Sequence, residues 1–157
     1  DPMELEGMLY ENSDEPYAHQ IAQSICAHIS KGKDISTTSD LRAIITNTLS
    51  KIPEANQEDK IKKSCQRCFQ ALRIDVNNEF EELYTFLNKL PECMAKDGKV
   101  AILTFHSGED RLVKKAFKEY YKQGLFSEIS TDAIRPSSEE CMTNPRARSA
   151  KLRTAIR

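Results

Sequence analysis

The residues best suited to chemistry follow an apolar run in the second half of the chain. Val100–Leu103 is rich in strand-forming residues, and Lys96-Asp97-Gly98 just before it is typical of a turn. The run leads into Phe105-His106-Ser107, then Glu109-Asp110-Arg111, and a helical pattern follows. A parallel strand that ends in polar residues before a helix is typical of α/β sheets that bind ligands at that end. We therefore expect any chemistry at residues 106–111, although Glu109 and Asp110 would also suit an ordinary helix N-terminus.

A long helical pattern upstream offers two further candidates. Apolar residues recur every three or four positions from Phe69 to Leu90, which predicts one helix that ends at Pro91. Arg73 and Asn77 lie four residues apart on one face of this helix and would be able to reach the same crevice. Asn77 and Asn78 are poor helix formers, so a reason other than helix propensity is expected for their position.

The last 14 residues are basic, in a chain whose net charge is −1. Basic clusters neutralise phosphates and give salt-dependent binding to nucleic acids. Apolar residues also alternate with basic ones from residue 150 to 157, which predicts a strand at a sheet edge. Both interpretations stay open, and the phosphate-contact candidates are Arg146, Arg148, Lys151 and Arg153.

Five cysteines at irregular spacing do not form a secreted disulfide pattern, and a reducing compartment is expected. Cys65 and Cys68 have the spacing of a metal or redox pair. A zinc site needs four ligands, and no second pair or histidine pair follows at ligand spacing. We therefore predict no metal site.

The elements that must position these residues are helical first and mixed later. At 157 residues, the chain corresponds to about one domain or one domain with an appendage. Residues 1–60 show helical periodicity with few glycines, and Leu125–Ile129 is a candidate short strand. Ser137 and Glu140 predict a capping box at a short helix. The sequence contains no apolar run long enough for a membrane span.

Four segments of the chain stand out as motifs: Phe69–Glu79, Phe105–Arg111, Pro136–Glu140 and Asn144–Arg153. In order and rough spacing they resemble the C-terminal motifs of the MraW/RsmH family of S-adenosylmethionine-dependent methyltransferases, which methylate the exocyclic amine of a cytidine in small-subunit ribosomal RNA. Weaker likeness covers most of the chain, including Tyr17–Ile25 and Ile35–Thr38, which resemble the family's inserted helical domain. The family usually has leucine where this chain has Gly108.

The resemblance implies a helix-rich α/β fold. Residues 1–64 would be an all-α inserted subdomain, and residues 65–157 the C-terminal part of a Rossmann-like methyltransferase core with about three strands. The family's glycine-rich cofactor loop has no counterpart here, because the five glycines of this chain are all far apart. S-adenosylmethionine would therefore bind only in a full-length protein, and no cofactor-binding residue is assigned.

The function implied is methylation of a ribosomal RNA cytidine by a longer protein, with this chain inactive alone. The alternative is a non-catalytic RNA- or protein-binding helical module with a degenerate core. The expected partner is ribosomal RNA or the small ribosomal subunit, and no membrane association is expected. Self-association through exposed core surface is expected. The expected location is the cytoplasm, with a mitochondrion or plastid as the alternative. No catalytic residue is assigned, and the substrate-binding candidates are His106, Ser107, Asp110, Arg111, Arg73 and Asn77.

Overall fold

The computed structural model describes residues 1–157, which fall into two compact units divided after Asn78. We call residues 1–78 the helical unit and residues 79–157 the sheet unit. The expected division after residue 64 falls inside a helix of the first unit. None of the helices combines the length and the apolar character that crossing a membrane requires.

The helical unit contains four helices around one apolar core. Residues Leu9, Ile21, Ile45, Leu49 and Cys68 are among its fully buried side chains. The third helix begins with a reciprocal capping box formed by Thr37 and Asp40, whereas the second begins after Tyr17 without a side-chain cap. The helices are α1 (Pro2–Ser13), α2 (Ala18–Ser30), α3 (Thr38–Leu49) and α4 (Glu58–Val76).

The single helix predicted from Phe69 to Leu90 is wrong, because the chain breaks at the two asparagines. Asn77 caps α4, and its Nδ2 donates to the carbonyl of Arg73 at 2.8 Å. Asn78 has a φ of 51°, a left-handed conformation that asparagine tolerates better than most residues. The pair therefore acts as a stop signal, which explains its place in an otherwise helical pattern.

The sheet unit contains three helices, a short 3₁₀ turn and three strands. Its elements are α5 (Glu79–Cys93), β1 (Lys99–Thr104), α6 (Ser107–Lys122), β2 (Glu128–Ile129), α7 (Ser138–Thr143), the 3₁₀ turn Pro145–Ser149 and β3 (Lys151–Ile156). The short strand, the Ser137 cap of α7 and the strand in the basic tail agree with the sequence patterns.

Pro91 lies within α5 and does not end it, which corrects the sequence-based prediction. A proline cannot donate to the carbonyl four residues earlier, here that of Leu87. The hydroxyl of Tyr120 donates to this carbonyl at 3.0 Å. The side chain from α6 replaces the missing helical hydrogen bond, so α5 continues to Cys93.

The sheet is antiparallel, with strand order β1-β3-β2. The prediction that β1 is a parallel strand is therefore wrong for the pairs formed in this chain. Since β3 lies between β1 and β2 and is antiparallel to both, those two strands run in the same direction. Two sequence-based predictions are confirmed: the helix-rich α/β character and the number of strands.

The two faces of the sheet differ. Val100, Ile102 and Ala155 pack towards a core that contains Val113 and Phe117 of α6. The other face carries Ala101 and Leu103 of β1 opposite Thr154 and Leu152 of β3. We call these four residues the open sheet face, because Leu103 is 53% exposed and Ala101 is also exposed. One edge of β1 pairs with no strand of this chain.

Candidate functional site

The turn between β1 and α6 is fixed by a reciprocal cap. His106 is the N-cap residue, and its Nδ1 accepts from the backbone N–H of Glu109 at 3.4 Å. In return, Glu109 Oε2 accepts from the backbone N–H of Phe105 at 2.9 Å and of His106 at 3.4 Å. The capping residues therefore hold the strand end and the first helical turn in one geometry.

The same contacts set the protonation state of Glu109. The nearby His106 side chain, whose Nε2 lies 3.4 Å from Glu109 Oε1, is the main reason why the pKa of Glu109 lies below its ordinary value, while burial acts in the opposite direction. The carboxylate also accepts the two backbone N–H groups at the positive end of α6, and both kinds of contact favour its charged form. Glu109 is therefore ionised at neutral pH and available as the cap.

His106 is placed to hold this turn. Its side chain is only 11% exposed, and its ring packs against Phe80 with centroids 5.8 Å apart. Nε2 is buried and lies 3.4 Å from Glu109 Oε1, without the geometry of a hydrogen bond. A direct contact between His106 and a base stays a prediction, and it would require the ring to be uncovered.

The side chains that point outward from this turn are different ones. Phe105 is 54% exposed, and Ser107 and Arg111 are also exposed. Phe105 follows Ala101 and Leu103 in the alternation of β1, so the open sheet face ends in an aromatic ring. Phe105 belongs to one of the sequence motifs but was not among the predicted contact residues. The alternation of side chains along β1 is the sequence signal that indicates its exposed position.

Asp110 forms the most buried polar cluster of the sheet unit. Its Oδ1 accepts from Arg153 Nε at 2.7 Å, and its Oδ2 accepts from Arg153 Nη2 at 3.3 Å and from Lys151 Nζ at 3.2 Å. Asp110 is 7% exposed and Arg153 is 6% exposed. Burial alone would raise the pKa of Asp110, but the hydrogen bonds from Arg153 and Lys151 outweigh it and hold the pKa below its ordinary value.

This cluster revises three of the candidate contacts. The guanidinium of Arg153 is buried and paired within the protein, so it has no free face for a phosphate. Lys151 donates to the same carboxylate, and Asp110 braces the turn and does not face outward. Arg146 and Arg148 stay phosphate-contact candidates because both are exposed on the 3₁₀ turn, on either side of the buried Ala147.

Arg73 and Asn77 belong to the helical unit. Arg73 lies on the surface of α4 beside a groove that is also lined by Arg42 of α3 and Lys62 of α4. The contact of Asn77 with the Arg73 carbonyl is the helix stop described above. Asn77 therefore has a structural reason for its position, and a substrate contact for either residue stays a prediction.

Two groups of residues carry side chains that can ligate a metal. Ligand atoms of Glu79, His106 and Glu109 lie within 4.8 Å of one another. Because Nδ1 of His106 accepts the Glu109 N–H, the neutral ring carries its proton on Nε2, which leaves no lone pair there for a metal. The capped turn and a metal at Nε2 therefore exclude each other.

The second group is Cys65 and Cys68, which lie inside α4. Burial raises the pKa of the Cys65 thiol, although the guanidinium of Arg42 lowers it, and burial raises the pKa of Cys68 to about 12. A zinc ligand must be a thiolate. Neither cysteine belongs to a group of three or more potential ligand residues. The geometry therefore favours two structural thiols in the helix core.

The residues present do not fit a methionine-adenosine cofactor. Such a cofactor needs glycines where a backbone approaches it closely after a strand. Gly108 is the glycine nearest the carboxyl end of β1, and a β-carbon there would lie 2.6 Å from Phe80 Cζ. The space beside Gly108 is thus filled by a ring of the protein itself and is not a ligand cradle.

Comparison with known proteins identifies the family of this chain. The family model described as the MraW methylase family matches residues 1–157. The chain belongs to this family. Among the curated relatives, ribosomal RNA small subunit methyltransferase H 1 of Lachnoclostridium phytofermentans is 62% identical over 154 residues, which are 98% of this chain and 42% of the relative.

More distant relatives carry the same kind of name. Ribosomal RNA small subunit methyltransferase H 2 of Acholeplasma laidlawii is 54% identical over 99% of this chain and 45% of its own length. Ribosomal RNA small subunit methyltransferase H of Pseudothermotoga lettingae is 37% identical over 98% of this chain and 50% of its own length. The chain therefore spans half or less of the length of these relatives.

Proposed function

We propose that this chain is the C-terminal portion of an S-adenosylmethionine-dependent methyltransferase that acts on the exocyclic amine of a cytidine in small-subunit ribosomal RNA. One observation carries the proposal at the site: the capped turn after β1 holds Phe105 and Ser107 outward at the end of a strand. The names of the relatives support the RNA substrate. We place this activity in the cytoplasm, with a mitochondrion or plastid as alternatives.

The order of the strands supports a Rossmann-like core. The sheet pairs β3 between two strands of common direction, which suits the last strands of such a layer. We assign residues 65–157 to this core and residues 1–64 to an inserted helical subdomain. The helix α4 would then be shared between the two parts.

Methyl transfer to this amine depends mainly on the position of the cytidine base. The lone pair of the exocyclic amine is delocalised into the ring, so the amine is a weak nucleophile and must be aligned with the methyl group. The base must also leave its stack and be held outside it. Phe105 offers a stacking surface and Ser107 a hydroxyl for a base edge, while His106 and Glu109 keep both in place. The group that accepts the amine proton is not assigned within this chain.

The methyl donor is expected to bind to residues that the relatives carry outside the aligned part. When bound, it supplies an electrophilic methyl group. The sheet unit would supply the base-holding surface, and Arg146 and Arg148 would contact phosphates of the RNA.

The proposal is tested by a segment exchange. This chain replaces the aligned 42% of the Lachnoclostridium relative, and the chimera is given small subunits, which are then analysed for methylated cytidine by nucleoside mass spectrometry. We expect methylation at the same nucleotide as with the parent. Loss of a base-stacking ring costs about 1–3 kcal/mol, so Phe105→Ala is expected to reduce kcat/KM by at least about fivefold.

Phe86→Ala is the matched control, since Phe86 is a similarly exposed phenylalanine of the sheet unit, on α5. It should leave methylation unchanged. Equal activity of the Phe105 and Phe86 variants would refute the base-holding role. A folded chimera that binds small subunits without methylating them would instead favour the non-catalytic RNA-binding module.

A further inference from the structure

The helical unit carries a basic groove that the proposed base-holding turn does not include. The groove lies between α3 and α4 and has a volume of about 590 Å³. Arg42, Lys62 and Arg73 line it, and no acidic residue does. Arg42 and Lys62 are exposed, and neither forms an ion pair with a carboxylate.

The positive charge of the groove contrasts with the net charge of the helical unit. Residues 1–78 contain nine lysines and arginines and twelve aspartates and glutamates. The unit as a whole is therefore acidic, whereas the groove is lined by three basic side chains and no carboxylate. The local field favours an anionic ligand that follows the groove.

The remaining lining residues suit bases more than a simple anion. Phe69 is partly exposed beside the groove, and Gln66 and Gln70 add amide donors and acceptors. Lys62, Gln66, Phe69 and Arg73 lie at steps of three or four along α4, so they form one stripe about 16 Å long. Cations for phosphates combined with a ring for stacking are the usual features of a single-stranded nucleic-acid site.

We infer that this groove binds a single-stranded segment of RNA, with Arg42 and Lys62 on phosphates and Phe69 against a base. The inference rests on the proposed function for the identity of the RNA, and it deepens that function by adding a second contact surface. The groove lies on another unit from the turn that holds the target base. It would therefore add an RNA contact to the one made by the turn.

Fluorescence anisotropy with a labelled single-stranded RNA of mixed sequence tests the inference on the whole chain, without methyl transfer. The double variant Arg42→Gln/Lys62→Gln is expected to weaken binding and to flatten the dependence of log K on log salt by about 1.4, which is about 0.7 for each lost phosphate contact. Phe69→Leu keeps an apolar side chain in the core and is expected to weaken binding by about tenfold through lost stacking.

Lys33→Gln/Lys51→Gln is the matched control, because it removes the same charge from exposed positions of the same unit outside the groove. It should change the salt slope little, and Arg42→Lys/Lys62→Arg should retain it. Equal effects of the groove and control pairs, or unchanged binding in the groove pair, would overturn the inference. An inactive chimera that still binds RNA through the groove would contradict the proposed function and leave the groove intact.

Discussion

At the scale of single residues, the sheet unit depends on the carboxylate of Asp110. Two basic side chains of β3 meet this carboxylate, and the guanidinium of Arg153 contacts both of its oxygens. A buried ion pair contributes little net stability compared with apolar residues, but the loss of one partner leaves an uncompensated buried charge. Lys151 and Arg153, two of the four residues that the sequence pattern offers for phosphate binding, thus join the turn to β3.

Asp110→Asn is therefore expected to lower the free energy of unfolding of the sheet unit by about 3 kcal/mol at neutral pH. Because the pKa of Asp110 is lowered in the folded state, its contribution is complete above the unfolded value of about 3.9 and is lost as the pH falls through the folded pKa. The difference between the two proteins should thus shrink in acid. Chemical denaturation at several pH values, with hydrogen exchange to assign the unit, measures both effects.

Asp132→Asn serves as the control for this series. Asp132 is exposed and forms no ion pair, so its replacement should change stability by less than about 0.5 kcal/mol at any pH. If Asp110→Asn behaved like Asp132→Asn, the carboxylate would not be the anchor of β3.

At the scale of elements, the first turn of α6 is matched to one aromatic residue of α5. A β-carbon on Gly108 would lie 2.6 Å from Phe80 Cζ and 3.2 Å from His106 Nδ1. The ring of Phe80 therefore occupies the volume that a side chain at residue 108 would need. The resemblance places a leucine here in other members of the family, so the glycine and the phenylalanine are expected to be coupled.

Gly108→Ala is expected to lower the free energy of unfolding by about 1 kcal/mol, because the overpacking cost of about 1–3 kcal/mol exceeds the helical advantage of alanine. Phe80→Leu in the same chain should reduce that cost, giving a measurable coupling energy in a double-mutant cycle. Thermal unfolding followed by circular dichroism reports each variant.

Gly7→Ala provides the comparison, since Gly7 lies in α1 and a β-carbon there meets no atom within 4 Å. This change should stabilise the protein by about 0.5–1 kcal/mol. A Gly108→Ala variant as stable as the Gly7→Ala variant would mean that Phe80 moves aside without cost.

How far the sequence predicted these elements depended on how local the deciding contact was. The Ser137 cap and the alternating strand β3 follow from neighbouring residues and are as predicted, although the cap has the Ser137 half of the predicted capping box and not the reciprocal contact from the Glu140 side chain. The continuation of α5 through Pro91 depends on a hydroxyl from Tyr120, 33 residues away from Leu87. No local pattern contains that contact, so the helix end was placed too early.

The prediction of the candidate site was limited in the same way by contacts between residues far apart in the sequence. The turn after β1 was expected from its motif, but the partner of Asp110 is 43 residues away, and Arg153 has the same sequence signal as the exposed Arg148. Strand alternation predicts that Arg153 and Ala155 share a face, and only the packing of α6 shows that this face is the buried one. The basic groove was missed for a similar reason, because Arg42 and Lys62 come from different helices.

At the scale of the whole molecule, one apolar surface lacks a cover within the sheet unit. The open sheet face carries Leu103 at 53% exposure, and Phe105 and Ile134 nearby are 54% and 59% exposed. The free edge of β1 adjoins it and offers unpaired backbone groups. Exposed apolar faces and open strand edges both promote association between chains.

The isolated chain is therefore expected to self-associate as its concentration rises. Leu103→Glu should shift it towards the monomer by placing a charge on the open sheet face, whereas Leu125→Glu, at an exposed position between α6 and β2, should not. Sedimentation velocity over a wide range of concentration measures both. A chain that stays monomeric throughout would mean that the face is tolerated in water.

The strand order also bears on how the protein is made. Residues 151–156 form the only strand with which β1 and β2 pair in this chain. A nascent chain from which residues 79–150 have emerged, but not residues 151–156, therefore carries two strands without the strand that pairs with them here and Asp110 without its two cations. The strand pairs of β1 and β2 with β3 and the ion pairs of Asp110 can form only once β3 has emerged, so the strand edges and the apolar face of this unit stay open until then.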